Sequence, residues 1–336
     1  WPGIVVDKHC VGGLPGNRTT PIVVSIIAAA GLTIPKTSSR AITSPAGTAD
    51  TVETFTNVNL DLIAIRKVVE QEGGCMAWGG AVKLSPADDI LISIERSLDL
   101  DSPAQLIASV LSKKAAAGST HVVIDIPVGK SAKVRTMEEA VHLKDLMMSV
   151  AAAINMTLDV VFTDGQQPVG RGIGPALEAL DIIAVLKGNK EAPIDLRDRS
   201  LKLAGRLLEM TGKTSSNGGY QMAFSILENG DAWKKFQAIC EAQGRFSEPK
   251  MGEFKFDVTS SKGGVITRID NRKLAKLAKL CGAPHAQGAG ILFASPLYKK
   301  IIMGDLLFTL YAQSKGELEY AKEYFKLNSE AILQIV

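Results

Sequence analysis

Two short runs constrain this chain more than anything else in it: His121–Val128 (HVVIDIPV) and Thr157–Thr163 (TLDVVFT). Both are apolar and β-branched, without the regular polar alternation of a strand wetted on one side. Runs of this kind suit strands covered on both faces, as in a parallel sheet flanked by helices. Segments with readable helix ends surround them. Thr20-Pro21 offers a hydroxyl N-cap and a proline at the first helical position, Ile22–Ala30 continue that helix, and Gly31 stops it. Asn59 is placed to cap a second helix that ends at Gly73-Gly74. Ser102-Pro103-Ala104-Gln105 reads as a capping box for a helix to Ala117, and Thr136 with Glu139 as another for a helix to about Ile154. A glycine-rich turn after Gly165 leads into a helix from Pro175 to Leu186. Strand and helix in alternation predict an α/β unit.

From about Asp195 to Gly244 the pattern is helical, and then the texture changes. Phe254-Phe256-Val258 and Val265-Thr267-Ile269 alternate on either side of Ser260-Ser261-Lys262-Gly263-Gly264, as hairpin strands do. A short helix at 271–280, more strands to about Ala312 and a last helix from Glu317 follow. The expected division is an α/β domain over 1–245 and a hairpin-rich α+β domain over 246–336. Trp1-Pro2-Gly3-Ile4-Val5-Val6 enters a buried strand without an initiating Met, so a further N-terminal segment is expected ahead of it.

Composition narrows the function classes. Hydrophobic residues form 46% and charged residues 22% of 336, enough for a sizeable core. The net charge of +3 is dispersed, which argues against a charge-driven nucleic-acid surface. Cys10, Cys75, Cys240 and Cys281 lie far apart with no His at metal-ligand spacing, so neither structural zinc nor a disulfide framework is expected. A reducing cytoplasm is the expected compartment. No apolar run reaches the ~18 residues of a membrane helix, and no signal peptide is visible.

Four segments carry the chemistry. Asp7–Thr20 follows a strand and feeds a helix; its glycines allow close backbone approach, and the helix N-terminus with Lys8 and Arg18 would attract a phosphate. It is not a Walker loop, because no Gly-Lys-Ser/Thr closes it. Lys36–Asp50 holds six hydroxyl side chains and two cations, good donors to phosphate and ribose oxygens. Ser109 and Lys113 are four apart on the third segment and share a helix face, while Asp101 precedes that helix. Lys133 follows the strand 121–128, where α/β sheets place ligands. A tight turn, a solvated hydroxyl loop, a dipole-stabilising aspartate and an ordinary loop lysine are the plain alternatives.

In these segments the sequence resembles the thymidine, pyrimidine-nucleoside and AMP phosphorylases. The shared motifs are the Asp-Lys-His-x-x-Gly-Gly loop, the Thr-Ser-Ser-Arg-Ala-Ile-Thr-Ser-Pro-Ala-Gly-Thr-Ala-Asp loop and the Ala-Ser-x-Leu-Ser-Lys-Lys helix at 108–114. The 36–50 loop is most similar to the archaeal-type AMP phosphorylases and the longer bacterial thymidine phosphorylase group. The resemblance implies a helical lobe and a large α/β lobe with a cleft between them, working as a homodimer without nucleic acid, membrane, metal or organic cofactor. Inorganic phosphate would be the co-substrate for cleavage of a nucleoside or nucleotide.

Carried over by motif, Lys8, Thr20, Ser38 and Thr48 are implied phosphate binders. Gly13, Ser39, Arg40, Thr43, Ser44, Thr48, Ser109 and Lys133 are implied nucleotide binders, with Asp101 as proton donor. The thymidine pattern implies that Ser109 and Lys113 hold the base with an arginine, for which Arg96 is the nearest candidate. Cys10 departs from the family's usual serine, and Arg96 stands closer to Ser109 than the thymidine pattern has it. His9 is expected to be a packing residue. Two rival readings are an anthranilate-type phosphoribosyltransferase, for which Asp88-Asp89 would be the magnesium pair, and a non-catalytic nucleotide-binding regulator.

Overall fold

The computed structural model describes residues 1–16, 18–41, 44–82 and 103–336. Val6–Cys10 (β1), Ile34–Ser38 (β2), Gly74–Trp78 (β3), His121–Val128 (β4) and Thr157–Asp164 (β5) pair in parallel. β1-β4-β5 form one ladder and β2-β3 another. A parallel bridge between Val5 and Thr33 joins them edge to edge, with the Val6 N–H donating to the Thr33 carbonyl at 2.9 Å. The order across the sheet is therefore β3-β2-β1-β4-β5. The chain winds outward from β1 in one direction, then outward from β4 in the other. The reversal lies between β1 and β4, and the crevice beyond their carboxyl ends is where sheets of this order take ligands.

Helices cover both faces: Thr19–Ala29 (α1), Thr48–Glu53 (α2), Leu62–Glu72 (α3), Gly79–Val82 (α4), Pro103–Ala116 (α5), Met137–Ala153 (α6), Pro175–Leu186 (α7), Ile194–Met210 (α8), Gly219–Glu228 (α9) and Asp231–Ala242 (α10). Side chains alternate along β4, so Val123 enters the core shared with α1, α8 and α10, while Val122, Ile124 and Ile126 enter the core shared with α5 and α6. This two-sided burial is why the run has no polar face. α1 is apolar nearly all round, and residues 19 to 28 are all buried, as a central helix requires.

The start of α1 differs from expectation. It begins at Thr19, with Arg18 in the N-cap position and no side-chain cap. The Thr19 hydroxyl instead donates back to the Gly16 carbonyl at 2.9 Å. Pro21 falls within the first turn, where a missing N–H costs no helical hydrogen bond. α3 is capped by Asp61, whose carboxylate accepts from the Ala64 N–H at 2.8 Å, while the Asn59 N–H is spent on Asn57. The short helix α2 was hidden inside the hydroxyl-rich segment.

The C-terminal part combines Phe254–Thr259 (β7), Gly264–Ile269 (β8), Gly290–Phe293 (β9), Lys300–Ile301 (β10), Leu306–Ala312 (β11) and Leu333–Ile335 (β12) with helices Asn271–Leu280 (α11) and Lys315–Ile332 (α12). Gly172–Ile173 (β6), from the preceding part, joins this group: one antiparallel sheet runs β6-β9-β11-β7, the other β10-β8-β12. The hairpin expected over 254–269 does not form, because β7 pairs with β11, and β8 with β10 and β12. Ser260 continues the β7–β11 pairing by one residue: its N–H donates to the Asp305 carbonyl and its carbonyl accepts from the Gly304 N–H, both at 2.8 Å. β8 then starts the second sheet at Gly264 instead of doubling back along β7. The core of this part also takes in Leu14, so the glycine loop is anchored in it from below.

Candidate functional site

Alternation along β1 sorts its polar residues. Lys8 and Cys10 face α1 and the glycine loop, whereas Asp7 and His9 face α5. The Lys8 ammonium, fully buried, donates to the Thr19 hydroxyl at 2.5 Å and the Thr20 hydroxyl at 3.5 Å. Both partners are neutral, and among the described residues no carboxylate pairs with Lys8. Cys10 lies opposite Asp125 in the β1–β4 register. Burial, and then the Asp125 carboxylate, push its thiol up to about 12. A Cβ on Gly16 would stand 3.1 Å from Asp125 Oδ2 and far inside contact distance of the Cys10 sulfur, so only glycine lets the loop lie this low. Cys10 therefore packs beneath the loop as a protonated thiol.

On the opposite face Asp7 is clamped between two lysines. Lys36 Nζ on β2 donates to Asp7 Oδ1 at 2.9 Å, and Lys114 Nζ on α5 lies 2.7 Å from Asp7 Oδ2. All three are buried. Burial alone would raise the Asp7 carboxyl, but Lys114 and Lys36 outweigh it and hold the group below its ordinary value. Burial lowers Lys36 to about 7 against the pull of Asp7. His9 is held well below its ordinary value by burial first, and then by Lys114, Lys36, Lys8 and Lys113, so it stays neutral. Sequence reasoning missed this clamp, although alternation alone already places Asp7 and His9 on one face.

The glycine loop closes by a Gly16 N–H to Gly13 carbonyl bond of 3.1 Å, and a Cβ on Gly13 would meet nothing within 4 Å. Open space therefore lies directly over its backbone. Ser38 ends β2, and among the described residues its buried hydroxyl oxygen has no hydrogen-bond partner. Beyond it Ser39 is exposed, Ser44 donates to the Ala46 carbonyl at 2.8 Å, and Thr48 opens α2. Arg40 is committed within the loop. Both its terminal nitrogens donate to Glu53 at 2.7 Å, Nη1 also reaches Asp50 at 3.1 Å, and the guanidinium stacks over Trp78. Asp50 in turn accepts from the Ala41 and Gly47 N–H groups at 2.6 and 2.9 Å. Arg40 thus shapes the hydroxyl loop.

Arg18 turns away from the loop's open side. Its guanidinium lies buried, 3.4 Å from both Glu178 Oε1 and Asp181 Oδ2, and donates to the Gly172 carbonyl. The cation read in sequence as a phosphate attractor is thus neutralised at the start of α7. One guanidinium shared by two buried carboxylates leaves an excess negative charge. Burial pushes Glu178 up from 4.5 to about 7, against the pull of Arg18. Between those values the folded state holds a proton that the unfolded chain releases, so folding stability should fall as pH rises from 4.5 to 7. Glu178→Gln should flatten that slope and be the more stable form at pH 7, by no more than about 3 kcal/mol. Thermal unfolding of both proteins across this range checks it.

Ser109 and Lys113 both lie on α5, and Lys133 is exposed in the loop after β4. Thr43, Arg96 and Asp101 fall outside the described residues, as does the Asp88-Asp89 pair. The segments carrying Lys8, Gly13, Thr20, Ser38, Ser39, Arg40, Ser44, Thr48 and Lys133 all lie at or beyond the carboxyl ends of β1, β2 and β4, around the reversal of strand order. Among the described residues, no helix is long and apolar enough to cross a membrane.

Comparison with known proteins agrees with this architecture. A protein of Hahella chejuensis named "Putative thymidine phosphorylase" is 59% identical over 322 residues, covering 96% of this chain and 64% of the relative. One of the same name from Ralstonia nicotianae is 57% identical, covering 96% of this chain and 63% of the relative. The chain therefore spans just under two thirds of the length of these curated relatives. Among solved structures, anthranilate phosphoribosyltransferase from Thermus thermophilus superposes with a TM-score of 0.59 at 18% identity, over 71% of this chain and 78% of that one. The Saccharomyces cerevisiae enzyme in complex with PRPP and Mg gives 0.54 at 15% identity, over 71% and 74%. At such identities the likeness concerns the fold alone. The family model described as "Glycosyl transferase family, a/b domain" matches residues 3–233, more than half of the sequence, and this chain belongs to that family.

Proposed function

We propose that the protein catalyses reversible phosphorolysis of the N-glycosidic bond of a nucleoside or nucleoside monophosphate, working as a homodimer in the cytoplasm. The products are free base and either (deoxy)ribose 1-phosphate or ribose 1,5-bisphosphate. Lys8 carries this reading. A buried ammonium without a counter-ion costs several kcal/mol, no carboxylate among the described residues forms an ion pair with Lys8, and inorganic phosphate supplies the missing charge. The open backbone at Gly13, the N-terminus of the eleven-residue α1 and the Ser38 hydroxyl, unpartnered among the described residues, offer further donors at the same crevice. The names of the relatives favour the thymidine type.

In this reaction a phosphate oxygen forms the new bond to C1′ as the C1′–N bond breaks, through an oxocarbenium-like state. The bonding electrons leave with the base. Lys8, Thr20, Ser38 and Thr48 hold the phosphate in line, which is positioning and electrostatic work. Asp101 protonates the departing base, and Lys133, with Ser109 and Lys113, stabilises it. No metal or organic cofactor takes part. Incubating the intact protein with phosphate and AMP, CMP, uridine or thymidine in turn should release free base and a sugar phosphate. Release that requires pyrophosphate would assign the phosphoribosyltransferase reaction instead, and binding without release would make the protein a regulator.

A further inference from the structure

We infer that Asn271, in the C-terminal part, is a positioning residue for Lys133: it pins the loop after β4 and thereby sets where that ammonium reaches. The inference rests on the role given to Lys133 in the proposed reaction. Asn271 opens α11 and is 3% exposed. Its backbone N–H and its Nδ2 both donate to the Ser131 hydroxyl at 3.1 Å, and Nδ2 also donates to the Gly165 carbonyl at 2.9 Å. Ser131 in turn donates to the Ile269 carbonyl at 3.4 Å. Both amide hydrogens and the whole capacity of the serine hydroxyl are thus used at one node.

The loop this node grips is stiff. Gly129 N–H donates to the Val134 carbonyl at 3.1 Å and Ala132 N–H to the Gly129 carbonyl at 2.9 Å, so Ser131 and Lys133 lie within one hydrogen-bonded turn. A Cβ on Gly129 would lie 2.5 Å from the Gly165 backbone, so the loops after β4 and β5 already touch where Asn271 ties them. Asp270 caps α11 through the Arg272 and Lys273 N–H groups, which leaves the Asn271 N–H available for Ser131.

Asn271→Ala and Ser131→Ala, made in the intact protein, should each lower kcat roughly 10- to 100-fold, the scale of a small misplacement of a reacting group. KM for phosphate should be unchanged, and Ser131→Thr, which keeps the hydroxyl, should restore activity. In a Lys133→Ala background neither change should cause further loss. Hydrogen exchange across 129–134 should rise in Asn271→Ala whether or not the protein proves to be a phosphorylase. Unchanged exchange in that segment would overturn the inference on any functional reading. In an active enzyme, so would an unchanged kcat or losses that multiply with Lys133→Ala. An inactive wild-type protein with raised exchange would instead sink the proposed reaction and leave the clamp standing.

Discussion

Lys8→Met should slow the proposed phosphorolysis about 10²–10³-fold while leaving the fold at least as stable as before. The two effects have one origin. Lys8 is fully buried, its hydrogen bonds go to the neutral Thr19 and Thr20 hydroxyls, and no carboxylate among the described residues forms an ion pair with it. Without a ligand the ammonium is a cost to folding. Methionine keeps much of the stem and removes that cost. Thr19 keeps its bond to the Gly16 carbonyl, so the first turn of α1 loses little. In the proposed reaction the phosphate would lose its principal counter-charge, and removing such a preorganised donor costs about 10²–10³-fold in rate. Rates at saturating nucleoside, with thermal unfolding of the phosphate-free protein, measure both effects. A variant that is less stable yet fully active would reverse the reading and make Lys8 structural.

Asp7→Asn should do the opposite to stability. Lys36 and Lys114 share the Asp7 carboxylate, one on each oxygen, in a region closed to water. Asparagine fits the space but leaves two buried amines without a counter-charge. Breaking a buried ion pair from one side costs about 3–5 kcal/mol, which for a chain of this size is a fall of roughly 10 °C in the unfolding midpoint. The deficit should depend on pH in a set direction. Lys36 titrates near 7 in the folded protein, so its share of the pair is present below that pH and fades as pH rises through it. Above pH 7 the remaining deficit belongs to Lys114. A deficit that grew between pH 6 and 9 would contradict this assignment.

Much of the scaffold was legible in sequence because local rules decided it. β4 and α7 fall where the β-branched run and the Gly174-Pro175 junction place them, since nothing distant competes there. α11 likewise coincides with its expected span. The misread hairpin at 254–269 had the right strands and the wrong partners. Pairing is a tertiary choice, here of β11 for β7 and of β10 and β12 for β8, and alternation in one segment carries no information about that. The site divides similarly. The sequence singled out Lys8, Gly13, Ser38 and Lys133, which the structure puts on β1, in the glycine loop, at the end of β2 and in the loop after β4, around the reversal of strand order. It could not show that Arg18 and Arg40 spend their charge on Glu178, Asp181, Asp50 and Glu53. A cation in a glycine-rich or hydroxyl-rich loop reads the same whether it faces a ligand or a buried carboxylate. Asn271 was invisible for the same reason, since its partners lie more than a hundred residues away.

The most direct measurement is a crystal structure of the intact protein grown with inorganic phosphate. One phosphate should lie beyond the carboxyl ends of β1 and β2, with an oxygen within hydrogen-bond reach of Lys8 Nζ and another near the Ser38 hydroxyl. Phosphate bound elsewhere, with Lys8 still closed against Thr19 in a protein that turns over, would contradict it.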